Sequence, residues 1–391
     1  VLDTPFSPWP SYSPEEIAAV SEVLASGRVN YWTGDLCRRF EDAFAAYVGT
    51  RYAVALANGT LALDVALKAL GIGPGDDVIV TPRTFIASVS SAVLAGARPV
   101  FADVDRETQN ITAATIAAVL TPQTKAVIPV HLAGLPCDMD PIMALARERS
   151  LFVIEDCAQA HGATYKGRSV GAIGDIGAWS FCQDKIMTTG GEGGMVTTNS
   201  QALWSAMWSF KDHGKSWQGV YEREHPAGPR LVHDSFGTNA RMLEIQAAIG
   251  LVQLERMPQW LARRGEIAGR VAAALRRHDV VRVPEVSPDM RHAYYRLYAF
   301  VNPDRLASGW SRDRIITEIV ARGVPCQHGS QSEVYREAAF DGIGWRPAER
   351  LPVARELGET GLAFLVHPTL TDAEVARTCA VVDEVLGLAA G

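Results

Sequence analysis

Between about residue 52 and residue 200 the chain alternates short β-rich runs with stretches of helical period, and nothing else in its 391 residues constrains the fold as strongly. The runs "VIV" at 78–80, "PVFADV" at 99–104, "AVIPVHLA" at 126–133, "LFVIEDCA" at 151–158, "IGAWSF" at 176–181 and "GGMVTTN" at 193–199 read as strands. Residues 60–70, 84–96, 112–120 and 138–149 read as helices. Near-continuous apolar strands separated by helices predict an α/β fold, a mostly parallel sheet with both faces covered. Ligands bind such sheets at the carboxyl ends of the strands. Residues 241–257 carry a helical period and read as a connector. Beyond it, helices near 258–277, 311–322 and 371–388 with a strand at 294–301 predict a smaller α/β unit. The division that follows is an arm over residues 1–30, with a helix at about 14–26 lying over the small unit, a large domain at 31–250 and a small C-terminal domain at 251–391.

Composition excludes several classes. The formal charge is −7 with no basic cluster, which argues against nucleic acid and anionic membranes as partners. No apolar run reaches the roughly 20 residues of a membrane span, and the N-terminal stretch lacks the layout of a signal peptide, so a cytoplasmic protein is expected. The six cysteines are scattered without C-x-x-C spacing, against a metal centre or a disulfide framework.

Only six lysines occur, at 68, 125, 166, 185, 211 and 215, so 31 of the 37 basic residues are arginine. Lys185 stands out, between a strand and the glycine cluster "GGEGG" at 190–194. A primary amine can lose its proton and form an imine; a guanidinium cannot. Three other features belong to the same predicted sheet edge. "NGT" at 58–60 opens a helix and offers N–H groups to a phosphate. Asp156 ends the strand "LFVIED", where a carboxylate is costly without a partner. The glycines at 190–194 allow close backbone approach. Singly, each has a plainer reading: a solvated loop lysine, an N-cap turn, a buried ion pair, a tight turn. Together they match what pyridoxal 5′-phosphate demands, an imine-forming lysine, an acid for the pyridine nitrogen and a phosphate-holding helix start.

"EDCAQAHGA" at 155–163, "GDIGAWSF" at 174–181 with Lys185 and "GGEGGMVTTN" behind it, and "GTNARMLEIQAAIGLVQLERM" at 237–257 resemble, in this order and spacing, the DegT/DnrJ/EryC1/StrS family of sugar aminotransferases. The resemblance extends from "SGRVNYWTGDLCRRFEDAFAAYVGT" at 26–50 to "VHPTLTDAEV" at 366–375. It implies the type I fold of pyridoxal-phosphate-dependent transferases. It also implies that Lys185 forms the imine, Asp156 pairs with the pyridine nitrogen and Gln159 meets the phenolic edge. Gly59, Thr60 and Ser180 would bind the phosphate and Phe85 would lie on the ring face. Asn239 would reach the cofactor of the neighbouring subunit in a homodimer with shared active sites, unless it merely caps the helix that follows. His161 follows the motif, with a structural role at least as well supported as a chemical one. The implied reaction carries an amino group from L-glutamate to the keto carbon of a nucleotide-linked sugar, with the Lys185 amine shuttling the proton and its pKa lowered by an electropositive, partly desolvated site. Many members carry His-Tyr-Pro where this chain has "GVPCQHGSQSEVY" at 323–335. Gln327, His328 and Ser330 are the substrate-pocket candidates there. Other readings are a cyclitol- or aminobenzoate-forming relative, which keeps the lysine, and a non-catalytic cofactor-binding regulator, which the intact Lys185/Asp156 pair argues against.

Overall fold

The computed structural model describes residues 6–228 and 230–390. Its centre is a seven-stranded sheet of β1 (Tyr52–Leu56), β2 (Asp77–Val80), β3 (Arg98–Phe101), β4 (Thr124–Ile128), β5 (Phe152–Asp156), β6 (Ile176–Ser180) and β7 (Gly194–Thr198), in the order β1-β7-β6-β5-β4-β2-β3. The pairs from β6 to β3 are all parallel, and β7 runs antiparallel to both its neighbours, so β1 points the same way as the rest. The sheet is therefore mostly parallel, and one edge collects the carboxyl ends of β1, β2, β4, β5 and β6. β2, β6 and β7 are buried at every position, as strands covered on both faces must be.

Several expected boundaries move for identifiable reasons. The run at 126–133 stops as a strand at Ile128, because Pro129 has no N–H to give to the ladder. The helix expected over 84–96 is Ala87–Leu94, leaving Thr84 and Phe85 on the loop that follows β2. β1 escaped the sequence reading. The expected break at 257/258 is absent: Glu244–Leu275 is one helix with Pro258 inside it. Proline removes one helical hydrogen bond, but residues on both sides of it, Ala247, Met257, Leu261, Ile267 and Val271, are buried and hold the helix to the body. This helix also crosses the expected domain boundary at 250/251.

Beyond it lies a four-stranded antiparallel sheet, ordered Val281–Arg282, Leu297–Val301, Gly361–Phe364, Cys326–Gln327. Helices Arg312–Ala321 and Asp372–Ala389 share its apolar core. Of the expected arm, residues 1–5 lie outside the described residues. The rest does more than lie over this sheet. Its helix, Pro14–Ser26, packs on the long helix, with Gln253 Nε2 donating to Glu16 at 2.6 Å and Arg256 to the same carboxylate at 3.2 Å. Trp9 sits between the two sheets. Its ring meets Trp260 and His367 at 5.2 and 6.1 Å, and its Nε1–H donates to the Lys185 carbonyl at 2.8 Å. Among the described residues no helix is long and apolar enough to cross a membrane.

Candidate active site

A cavity of about 1210 Å³ opens at the carboxyl edge of the large sheet and is closed on its far side by residues of the small one. Two β-pairings shape its floor. Leu56 at the end of β1 and Ser180 at the end of β6 both pair with Gly194 at the start of β7, which brings Asn58–Thr60 against Ser180. A Cβ on Gly59 would lie 2.5 Å from the Ser180 Cβ, and one on Gly194 would lie 2.2 Å from the Asn58 carbonyl oxygen. Glycine is required at both. The Asn58 side chain caps the helix Gly59–Ala69 by accepting from Leu61 N–H at 2.9 Å. The first N–H groups, on Gly59 and Thr60, have no intrahelical carbonyl to reach. The Ser180 hydroxyl accepts from Cys182 N–H at 3.3 Å and has no acceptor for its own hydrogen among the described residues. Three donors thus converge at the positive end of a helix dipole, the chemistry of a phosphate cradle.

Asp156, the last residue of β5, lies 5 % exposed on the cavity wall. Its Oδ2 accepts from Ser88 Oγ at 2.7 Å and its Oδ1 from Ala158 N–H at 3.1 Å. Ser88 is 2.8 Å from Thr84 Oγ1, so with Ser88 donating to the carboxylate, Thr84 donates to Ser88. Gln159 Oε1 accepts from Ala133 N–H at 2.7 Å, which leaves its amide N–H groups as the donors on offer. Phe85 stands in the wall 68 % exposed, an aromatic face awaiting a flat partner.

Lys185 is the one lysine on the cavity wall among the described residues. Its Nζ lies 3.6 Å from Asp184 and 5.1 Å from the centre of the Tyr295 ring, and the Tyr295 hydroxyl donates to Asp184. The expected depression of its pKa is not found. Burial alone would lower it, but Tyr295, Asp184, Cys182 and Asp156 together outweigh burial and raise it. The expectation counted desolvation and an electropositive site; the Tyr295 phenol and the Asp184 carboxylate beside the amine reverse the sign.

The substrate candidates divide by strand parity. In Cys326–Gln327 and the residue after it, side chains alternate faces: Cys326 is buried, Gln327 lines the cavity, and His328 turns out to solvent, 3.4 Å from Asp313. His328 is therefore no part of the cavity. Ser330 returns to the wall, its N–H donating to Tyr298 Oη at 2.7 Å. Asn239 is exposed and outside this chain's own cavity, with its Oδ1 3.4 Å from Arg241 N–H. It does not cap the long helix. That position is Leu243, whose N–H goes to Gln246 Oε1 at 2.8 Å. His161 is fully buried against Trp179 and Phe181, at 5.3 and 5.5 Å, and burial, with Lys185 and Arg264 adding to it, pushes it down to about 3. It is a neutral packing residue.

Behind Asp156, Glu155 points to the other face of β5 and is buried. Its carboxylate accepts from His131 Nε2 at 3.0 Å and from the Gly171, Ile173 and Gly174 N–H groups at 2.9, 2.8 and 2.6 Å. Burial would raise its pKa, but these bonds hold it below the usual value. His131 Nδ1 accepts from Cys137 N–H at 3.0 Å, which fixes the Nε2–H tautomer. Cys157 comes within 4.8 Å of both, yet every lone pair a metal would need on Glu155 and His131 is engaged and burial keeps the Cys157 thiol protonated. The trio is a structural anchor for the 171–174 turn.

The profile of the DegT/DnrJ/EryC1/StrS aminotransferase family matches residues 10–383. The chain is 42 % identical over 350 residues, 89 % of each chain, to the GDP-perosamine synthase of Caulobacter vibrioides. It is 37 % identical over 377 residues to the UDP-N-acetyl-3-dehydro-α-D-glucosamine 3-aminotransferase of Acidithiobacillus ferrooxidans, covering 95 % of this chain and 94 % of that one. The crystal structure of an aminotransferase from Psychrobacter cryohalolentis superimposes with a TM-score of 0.97 at 61 % identity, over 98 % of this chain and 99 % of that one. A matching profile over almost the whole length and a cavity that holds a lysine, a strand-end acid and a bare helix start agree: the chain belongs to the DegT/DnrJ/EryC1/StrS aminotransferase family.

Proposed function

We propose that this enzyme moves an amino group from L-glutamate to the keto carbon of a nucleotide-linked sugar, the large sheet holding the cofactor and the small sheet closing the substrate side. It is a pyridoxal-phosphate-dependent aminotransferase. The observation that carries the reading is the placement of Lys185, Asp156 and the Gly59–Thr60 helix start in one cavity. The relatives named for GDP-perosamine and for a UDP-linked 3-aminosugar support the nucleotide-sugar substrate.

The residues present fit the cofactor. Gly59, Thr60 and Ser180 offer donors to its phosphate, Asp156 a carboxylate to its ring nitrogen, Gln159 an amide to its phenolic oxygen, Phe85 a face to its ring and Lys185 the amine that holds it covalently. When bound, the cofactor supplies an electron-withdrawing ring that stabilises negative charge on the carbon bearing the amine. The chain does the rest. Asp156, fixed by Ser88 and Ala158, holds the ring nitrogen's proton. Lys185 Nζ, once free of the cofactor, takes the proton from the donor's α-carbon and later returns one to the sugar carbon. Asp184, steadied by Tyr295, lies 3.6 Å from that nitrogen and pairs with it whenever it carries the proton, which the amine gives up again within each half-reaction. The two half-reactions test this separately. L-glutamate alone should bleach the visible band with one equivalent of 2-oxoglutarate formed, and a nucleotide-linked keto sugar should restore it. Absence of 2-oxoglutarate would leave a cofactor-binding regulator as the better account.

We further propose a two-fold dimer in which Asn239 serves the partner's site. Its exposure outside its own cavity, beside the 98 % exposed Phe236, supports this reading. Equal amounts of Lys185→Ala and Asn239→Asp subunits, each nearly inactive and proven to exchange, should recover roughly a quarter of wild-type activity, since half the dimers then hold one intact site. No recovery would return Asn239 to its own subunit.

A further inference from the structure

The side chain of Lys185 has to swing between the cofactor and the reacting carbon, while its main chain has to stay in place. A flexible four-carbon stem on a loose backbone would leave the reach of the amine undefined. Yet Lys185 stands on the irregular connection between β6 and β7, where no helix or sheet ladder fixes it. Its N–H donates to the Cys182 carbonyl at 3.1 Å, on the same connection. Its carbonyl has a single donor among the described residues, the indole N–H of Trp9, at 2.8 Å and from 176 residues away in sequence.

The arm that carries Trp9 is fastened without that bond. Phe6 is buried in the apolar core of the small sheet. The Ser7 N–H and hydroxyl donate to the two oxygens of Glu374 at 2.5 and 3.0 Å, and the Pro8 carbonyl accepts from the Thr369 hydroxyl at 2.8 Å. The indole ring packs against Trp260 and His367, and the Arg264 guanidinium lies 5.2 Å from its centre. Each of these contacts uses the ring or the backbone around it, and the indole N–H is left for Lys185.

A second tie runs from the arm to the same connection. Thr188 N–H donates to Gln253 Oε1 at 2.8 Å, and Gln253 Nε2 donates to Glu16 at 2.6 Å, with Gln253 and Glu16 both buried. The arm therefore supports the lysine's connection at two points, directly through Trp9 and by way of Gln253 through Glu16. Of the two, Trp9 acts on the lysine's own carbonyl, where an unpaired oxygen would let the main chain shift to find another donor. We propose that Trp9 is a positioning residue whose indole N–H fixes the main chain of Lys185, and with it the reach of the amine in both half-reactions, an inference that rests on the aminotransferase reading above.

The test removes the N–H and keeps the ring. The cofactor-loaded protein is compared with one carrying 3-benzothienylalanine at position 9 alone, which has sulfur where indole has N–H, and with Trp9→Phe. The sulfur analogue should keep the visible band. Single-turnover bleaching by L-glutamate and its reversal by 2-oxoglutarate should each slow about tenfold, the scale of one lost hydrogen bond, with half-saturating concentrations within about twofold of wild type. Hydrogen exchange of the peptide spanning 182–190 should quicken while that of the small sheet stays unchanged. Slowing of both directions alike marks the lysine they share, whereas a substrate contact would alter half-saturation. Loss of the band in the sulfur analogue, unchanged rates, slowing of one direction only, a change confined to half-saturation, unaltered exchange at 182–190, or slowing in Trp9→Phe that the analogue does not share overturns the proposal. Failure of the wild-type protein to bleach with glutamate instead overturns the function it rests on.

Discussion

Purified Lys185→Arg is expected to lack the visible absorption of the wild-type protein and to form no 2-oxoglutarate from L-glutamate. Turnover should fall by about four orders of magnitude or more, the scale seen when one member of a concerted catalytic set is removed. Charge is not what is lost. Arginine keeps a cation beside Asp184, 3.6 Å from the native Nζ, and over the Tyr295 ring, so the electrostatics of the wall survive. What disappears is an amine able to shed its proton, which a guanidinium of pKa above about 12 cannot imitate. Absorbance and a product assay on the same sample check both halves. Measurable turnover of glutamate would remove Lys185 from the centre of the site.

Asp156→Asn should keep its fold and bind cofactor, yet bleach with glutamate about 10²- to 10³-fold more slowly, the range for losing one preorganised electrostatic contact. The structure says why it folds. Asparagine can still accept from Ala158 N–H, and the Ser88 hydroxyl can turn round to accept from the new amide. A neutral amide, however, no longer holds a proton on the ring nitrogen. Stopped-flow bleaching measures the rate directly. A near-normal rate would reduce Asp156 to the strand-end hydrogen-bonding residue that its neighbours alone describe.

Lys185 and Asp156 stood out in the sequence because imine chemistry and an electron-accepting ring call for those residue types, and the structure places both on the wall of one cavity. The strands that carry Asp156 and Ser180 were equally plain, being long and apolar enough to show against their flanks. Tyr295, Arg296 and Trp9 were not legible. They lie more than a hundred residues from Lys185 in sequence, and only the packing of the small sheet and the arm brings them to it. The two-residue strands of the small sheet fall below any periodic signal. The parity of Gln327 and His328 depends on which strand they pair with, a tertiary fact. The direction of the Lys185 shift failed for the same reason, since it is decided by Asp184 and Tyr295 together. Pro258 shows the converse, a strong local signal overruled by burial along the whole helix.

The most direct measurement of the central claim is to reduce the cofactor-loaded protein with borohydride, digest it and locate the pyridoxyl group by mass spectrometry. Lys185 is the one lysine on the cavity wall among the described residues; Lys68, Lys125 and Lys166 are exposed, and Lys211 is fully buried 3.8 Å from Glu41. The account requires one equivalent of pyridoxyl per chain on the peptide containing Lys185. Label on any other lysine, or none on a protein that had shown the visible band, would contradict it.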